Sequence, residues 1–78
     1  MITNNPKAHY CARAVVVRRD DAGSLYSALY PEPTVRAAFA IGTSMATRRR
    51  VALVVIERRA NQYAEWERVA TIREDSSS

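Results

Sequence analysis

A chain of 78 residues that is 47% hydrophobic, with only two glycines, has room for one folded domain and is too apolar for a disordered tail. Twelve basic against eight acidic residues leave a net charge of +4, which favours acidic partners: nucleic acid, an anionic membrane surface or an acidic protein groove. A single cysteine excludes an intramolecular disulfide and suits a reducing compartment. No apolar run reaches the roughly 18 residues of a membrane span, and Met1 to Lys7 lack the apolar stretch of a secretory signal.

Residues 1–8 are polar and contain Pro6, and read as a loose lead-in to a single domain over residues 9–73. From His9 to Arg19 the chain carries Ala12, Ala14 and three consecutive valines, Val15 to Val17. Such β-branched runs lose rotamer freedom in a helix and favour a strand. Asp20-Asp21-Ala22-Gly23 is a hairpin turn, with Gly23 supplying a positive φ. Residues 24–30 return as a second strand, which Pro31-Glu32-Pro33 stops. A short helix over residues 24–30 is the lesser alternative, given the turn before it and the proline after it.

From Thr34 the period changes. Val35, Ala38, Phe39, Gly42 and Met45 fall on one helical face, and Pro33 suits the first helical position. Gly42 costs about 1 kcal/mol in a helix interior. Its place on the apolar face predicts close approach to a sheet, the alternative being a break at Gly42-Thr43-Ser44. Arg48-Arg49-Arg50 puts positive charge near the helix C-terminus, where it offsets the macrodipole. Val51 to Ile56 is an unbroken apolar run of strand length, and Ala60-Asn61-Gln62 turns the chain. Residues 63–73 fit a strand with Ala64, Trp66, Ala70 and Ile72 on one face and Arg68 as the exception. They also fit a helix with Tyr63, Trp66, Val69 or Ala70, and Arg73 on one side. A hairpin with residues 51–59 favours the strand, and Trp66 is assigned to the core. Residues 74–78 form a polar, disordered tail.

The pattern is β-β-α-β-β, an α+β fold with one helix packed on a four-stranded antiparallel sheet. A right-handed crossover leaves the first strand between the second and third, which gives the order 2-1-3-4. Strands 1 and 3 are then central, and both carry aliphatic residues on both faces: Val16 against Val15 and Val17, and Val51, Leu53 and Val55 against Ala52, Val54 and Ile56. One helix covers one face. The helix-free face therefore calls for a second cover, and the candidates are the terminal segments, a homodimer or another protein.

There is no glycine-rich phosphate loop, no Cys-x-x-Cys and no two-histidine metal spacing. The expectation is a non-enzymatic protein with no catalytic, cofactor-binding or metal site. His9 and Cys11 are given no role, and Glu65 with Glu67 reads as the charged face of an edge strand. What stands out is arginine, eleven of the twelve basic residues. Its planar fork binds carboxylate and phosphate bidentately, although surface arginines are often only solvated. On the expected topology Arg18, Arg19, Arg48, Arg49 and Arg50 converge at one pole, diluted by Asp20 and Asp21. Arg58 and Arg59 lie at the other pole, near Pro31-Glu32-Pro33. Tyr26 and Tyr30 share a face of the edge strand, and with these arginines complete the candidate partner-binding set.

Over residues 9–73 the order of elements resembles small phage and mobile-element proteins, among them anti-CRISPR proteins, several of which are single α+β domains with a helix on an antiparallel sheet. The resemblance implies a cytoplasmic inhibitor, acting in the host cell if phage-encoded. It would dock on an acidic or mixed surface of a host nucleic-acid-handling complex, such as a CRISPR effector, and block target access. The basic charge argues against nucleic-acid mimicry. The alternatives are an arginine-rich nucleic-acid-binding module and an oligomeric accessory or structural protein. None of the three calls for a membrane.

Overall fold

The computed structural model describes residues 10–73, so the expectations for the lead-in, for His9 and for the 74–78 tail lie outside the described residues. The valine run forms β1 (Ala12–Arg19) and hairpins into β2 (Leu25–Glu32). The turn closes as its sequence predicts. Asp20 Oδ1 accepts from the backbone N–H groups of Ala22 and Ser24, both at 2.9 Å, and Gly23 takes φ 87°. The strand does not stop before Pro31. It runs through to Glu32, with Pro31 paired opposite Arg13. On an edge strand, alternate N–H groups face solvent, so a proline there removes no ladder bond.

The helix α1 (Val35–Ala46) starts two residues later than Pro33 suggests. Thr34 is the N-cap, its hydroxyl oxygen accepting from Ala37 N–H at 3.0 Å, so Pro33 precedes the cap instead of occupying the first helical position. The helix does not break at Gly42. It ends at Thr47, and Arg48 N–H returns to Met45 C=O at 3.0 Å. No basic residue lies in the last turn. Arg48 to Arg50 sit beyond it in the loop, with Arg50 in the left-handed region at φ 70°.

β3 (Val51–Arg58) and β4 (Glu67–Ile72) complete the sheet in the order β2-β1-β3-β4, antiparallel throughout. Residues 63–66 stay outside β4, because the loop after β3 is held by its own bonds. Asn61 Oδ1 accepts from Tyr63 N–H, and Asn61 C=O from Ala64 N–H.

Two irregularities change which residues share a face. Val17 pairs with Leu53 but Arg18 pairs with Val51, leaving Ala52 as an extra residue. This bulge turns Val51 onto the helix side, where it is buried beside Val54 and Ile56. Simple alternation puts it with Leu53 and Val55, so that expectation is corrected. A second bulge lets Ile56 pair with Ala70 and Glu57 with Arg68, leaving Val69 unpaired.

The core beneath the helix is built from small side chains. Ala12, Ala14 and Val16 of β1 and Val54 and Ile56 of β3 meet Ala38, Gly42 and Ala46 of α1. Gly42 permits the close seat: a Cβ there would stand 2.8 Å from Ile56 Cδ1 and 3.0 Å from Val54 Cγ1. Tyr30, Phe39, Met45 and Ile72 close the edges.

Candidate interaction site

The arginine pole is assembled by two loops. Arg19, at the end of β1, donates its backbone N–H to Arg50 C=O at 2.7 Å, which ties the β1–β2 turn to the α1–β3 loop. The Arg50 guanidinium then pairs with the Asp21 carboxylate. Arg18, Arg19, Arg48, Arg49 and Arg50 are thus brought to one end of the sheet. All are exposed except half-buried Arg18. Asp20 is occupied capping its own turn, and Asp21 offsets one arginine, so the pole keeps a positive excess. Among the described residues, Arg18, Arg19, Arg48 and Arg49 have no ion-pair partner. A cluster of exposed guanidiniums suits an acidic surface or a phosphate backbone.

Arg58 and Arg59 do not form a comparable patch. Both lie at the opposite pole, as expected, since Ala12 pairs with Glu32 on one side and Arg58 on the other. Arg59, however, is turned inward. Its terminal nitrogens donate to Tyr10 C=O at 3.0 Å and Gln62 C=O at 3.3 Å, and its carbon stacks 4.4 Å from the centroid of Trp66. Its buried Nε has no partner among the described residues. Arg59 thus holds the chain before β1 to the loop after β3. Arg58 is the cross-strand neighbour of Glu67. The two arginines, Ala60 and Glu67 line an open depression of about 290 Å³, where the carboxylate offsets part of the charge.

Trp66 departs from its expected core role. It is half-buried at this pole, outside the hydrophobic cluster, with Arg13 4.1 Å and Arg59 4.4 Å from its ring centroid. Such cation–π contacts are worth about 0.5–2 kcal/mol each. Arg13 also donates from Nε to Glu57 Oε1 at 2.6 Å, with both side chains about three-quarters buried. The tyrosines divide. Tyr30 packs on the core opposite Ala14, and Tyr26 is 49% exposed opposite Arg18. Only Tyr26 extends the arginine pole.

The sequence predicts a helix-free face and the aliphatics of its central strands, but it does not single out Leu25 and Leu29 as part of that face. Its rows follow from the pairing: Pro31, Arg13, Glu57 and Arg68; then Leu29, Val15, Val55 and Thr71; then Ser27, Val17 and Leu53; then Leu25 and Arg19. Leu25 and Leu29 are more than half exposed, and the four central aliphatics are only half-buried. Among the described residues no helix or strand packs on this face, although Trp66 of the loop before β4 lies against Arg13; α1 lies on the other. Covering the exposed half of one such leucine is worth about 0.8–1.7 kcal/mol. The alternation Leu25-Ser27-Leu29 against Tyr26-Ala28-Tyr30 carried this signal, but the tyrosines drew it to the wrong side.

Among the described residues no three His, Cys, Asp or Glu side chains are grouped so as to hold a metal ion, and no helix is long and apolar enough to cross a membrane. Cys11 is a half-buried free thiol whose backbone carbonyl accepts from Arg59 N–H. In comparisons with known proteins, no family model, no curated protein and no solved structure matches the chain.

Proposed function

We propose that this chain is a non-enzymatic docking protein that engages an acidic protein surface through its arginine pole. The observation that carries this reading is the joining of two separate loops by Arg19 N–H to Arg50 C=O, which gathers arginines from two distant parts of the sequence on one exposed end. Arginine is favoured at interface hot spots because its fork makes paired bonds to carboxylates with little reorganisation, and exposed Tyr26 lies beside the cluster. In its most concrete form the protein is a cytoplasmic, phage-type inhibitor of a host nucleic-acid-handling complex such as a CRISPR effector. That form rests on the element order alone. Self-association through the helix-free face belongs to the same proposal.

The test expresses the chain in a bacterial host whose CRISPR effector restricts a targeted phage. Restored plaque formation, lost on changing Arg48, Arg49 and Arg50 together to alanine, is the expected outcome. No restoration with any effector type removes the inhibitor reading. Restoration that survives the triple change removes the arginine pole from it.

The same geometry supports a second reading, in which the pole grips phosphate. Salt titration separates the two. Five arginine–phosphate contacts give a log–log slope of roughly −4.5 on duplex DNA, whereas a docking protein leaves DNA and RNA unbound near physiological salt.

A further inference from the structure

We infer that the helix-free face pairs with a second copy of this chain about a two-fold axis that runs along the strands, between β1 and β3. Two sheets packed face to face keep their strands roughly aligned, about 10 Å apart. A two-fold axis lying in that interface has two simple settings. If it runs across the strands, it lays the charged row of Arg13, Glu57 and Arg68 over the end holding Leu25 and Arg19. That sets Arg13 on the second copy's Arg19 and gives Glu57 and Arg68 no opposite charge. If it runs along the strands, every row lies over itself with its order reversed.

The second setting is self-complementary across the two central strands, while Arg68 lies over Pro31 at the edge. Arg13 of one copy meets Glu57 of the other, and Glu57 meets Arg13. Val15 meets Val55, Val17 meets Leu53, and Leu29 reaches over Thr71. The two Arg13–Glu57 pairs, each already joined within its own copy, close into a ring of four alternating charges. Arg13 uses only Nε on Glu57 and stacks its guanidinium on Trp66, and its terminal nitrogens make no hydrogen bond among the described residues, so they can turn to the partner's carboxylate. Fully paired charges of this kind tolerate burial where a lone one does not.

The area is sufficient for a weak dimer. Four strands at about 4.8 Å and the six steps from Arg13 to Arg19 at about 3.4 Å give a patch near 400 Å² in projection. Both corrugated faces together bury roughly 1,000 Å², the low end of specific interfaces, so a micromolar dissociation constant is expected. The axis also preserves strand direction, so both arginine poles lie at the same end of the dimer. A polyanionic or acidic partner spanning them would tighten it.

Charge-reversal variants test the pairing. Arg13→Glu and Glu57→Arg each set like charges opposite one another at two places in the dimer, and each should weaken self-association roughly tenfold or more by sedimentation velocity. Mixed one to one, the two variants should associate with each other more tightly than either does with itself, because each contact between the copies then joins a carboxylate to a guanidinium. A loss caused only by damage within the monomer is not repaired by mixing. Wild type that stays monomeric into the submillimolar range overturns the dimer, and leaves the face to the chain's own terminal residues or another protein. Variants that fail to rescue one another overturn the axis. Spin labels at Ala22→Cys in a Cys11→Ala background read the axis independently: about 15–25 Å if the poles share an end, and beyond roughly 30 Å, more than one eight-residue strand, if they do not.

Discussion

Replacing Gly42 by alanine separates two opposing effects whose sizes are known. In an exposed helix the change stabilises by about 1 kcal/mol, because alanine loses less backbone entropy on folding. Here the new methyl would stand 2.8 Å from Ile56 Cδ1, 3.0 Å from Val54 Cγ1 and 3.3 Å from Ile72 Cδ1. The first two are closer than a relaxed methyl contact. Ile56 and Val54 are both fully buried, and valine is stiff at χ1, so neither retreats freely. Overpacking of this kind costs about 1–3 kcal/mol. The two effects leave a net loss of about 0–2 kcal/mol, which lowers the midpoint of a domain this size by up to about 15 °C. Urea and thermal unfolding followed by circular dichroism measure it. The Ile56→Val change removes the nearest methyl and by itself costs about 0.5–1.5 kcal/mol. In the double variant the two losses should sum to less than their parts by at least about 0.5 kcal/mol. A Gly42→Ala protein more stable than wild type would refute the close seat of α1 on the sheet.

Three further perturbations probe the loops and caps. Arg50→Gly removes the left-handed strain at φ 70° together with an exposed ion pair worth about 0.2–1 kcal/mol, so its denaturation midpoint should equal or exceed that of wild type. Arg50→Val, β-branched in the same conformation, should lose more than about 1 kcal/mol, and equal stability of the two would show that the loop relaxes. Thr34→Ala deletes the N-cap bond to Ala37 and should cost about 1 kcal/mol, with Thr34→Ser recovering most of it; the two variants compared by urea unfolding decide this. Arg59→Ala removes the ties to Tyr10 and Gln62 and the stack on Trp66. It should cost about 1–3 kcal/mol and red-shift the Trp66 emission as the ring gains water, and unchanged emission would refute the stacked arrangement.

Some features of this protein were legible from short stretches of sequence because they are set by local physics. Three adjacent valines crowd a helix, the Asp20 to Gly23 turn supplies its own acceptor and positive φ, and apolar residues at Val35, Ala38, Phe39, Gly42 and Met45 can share a face only in a helix. Connection rules then limited the sheet to one order. The convergence of Arg18 and Arg19 with Arg48 to Arg50 followed from that order, since it needs only strand direction.

What depends on register could not be read in this way. A bulge at Ala52 moves Val51 across the sheet, and nothing in an unbroken run of six aliphatic residues marks where the extra one falls. Pro31 reads as a strand stop until β2 is known to be an edge. Trp66 and Arg59 look like a core residue and a free charge, yet they meet at one pole because strands distant in sequence deliver Arg13, Glu57 and Arg59 to the same place. The sequence by itself determined the elements, their order and the two-sided apolar character of the central strands, all of which follow from neighbour-to-neighbour sterics and the period of two. Only the tertiary structure decided which arginines are spent inside the protein and which remain outside. It also decided which rows of side chains lie together on the helix-free face, because hydrogen-bond register is a property of paired strands and of neither strand alone.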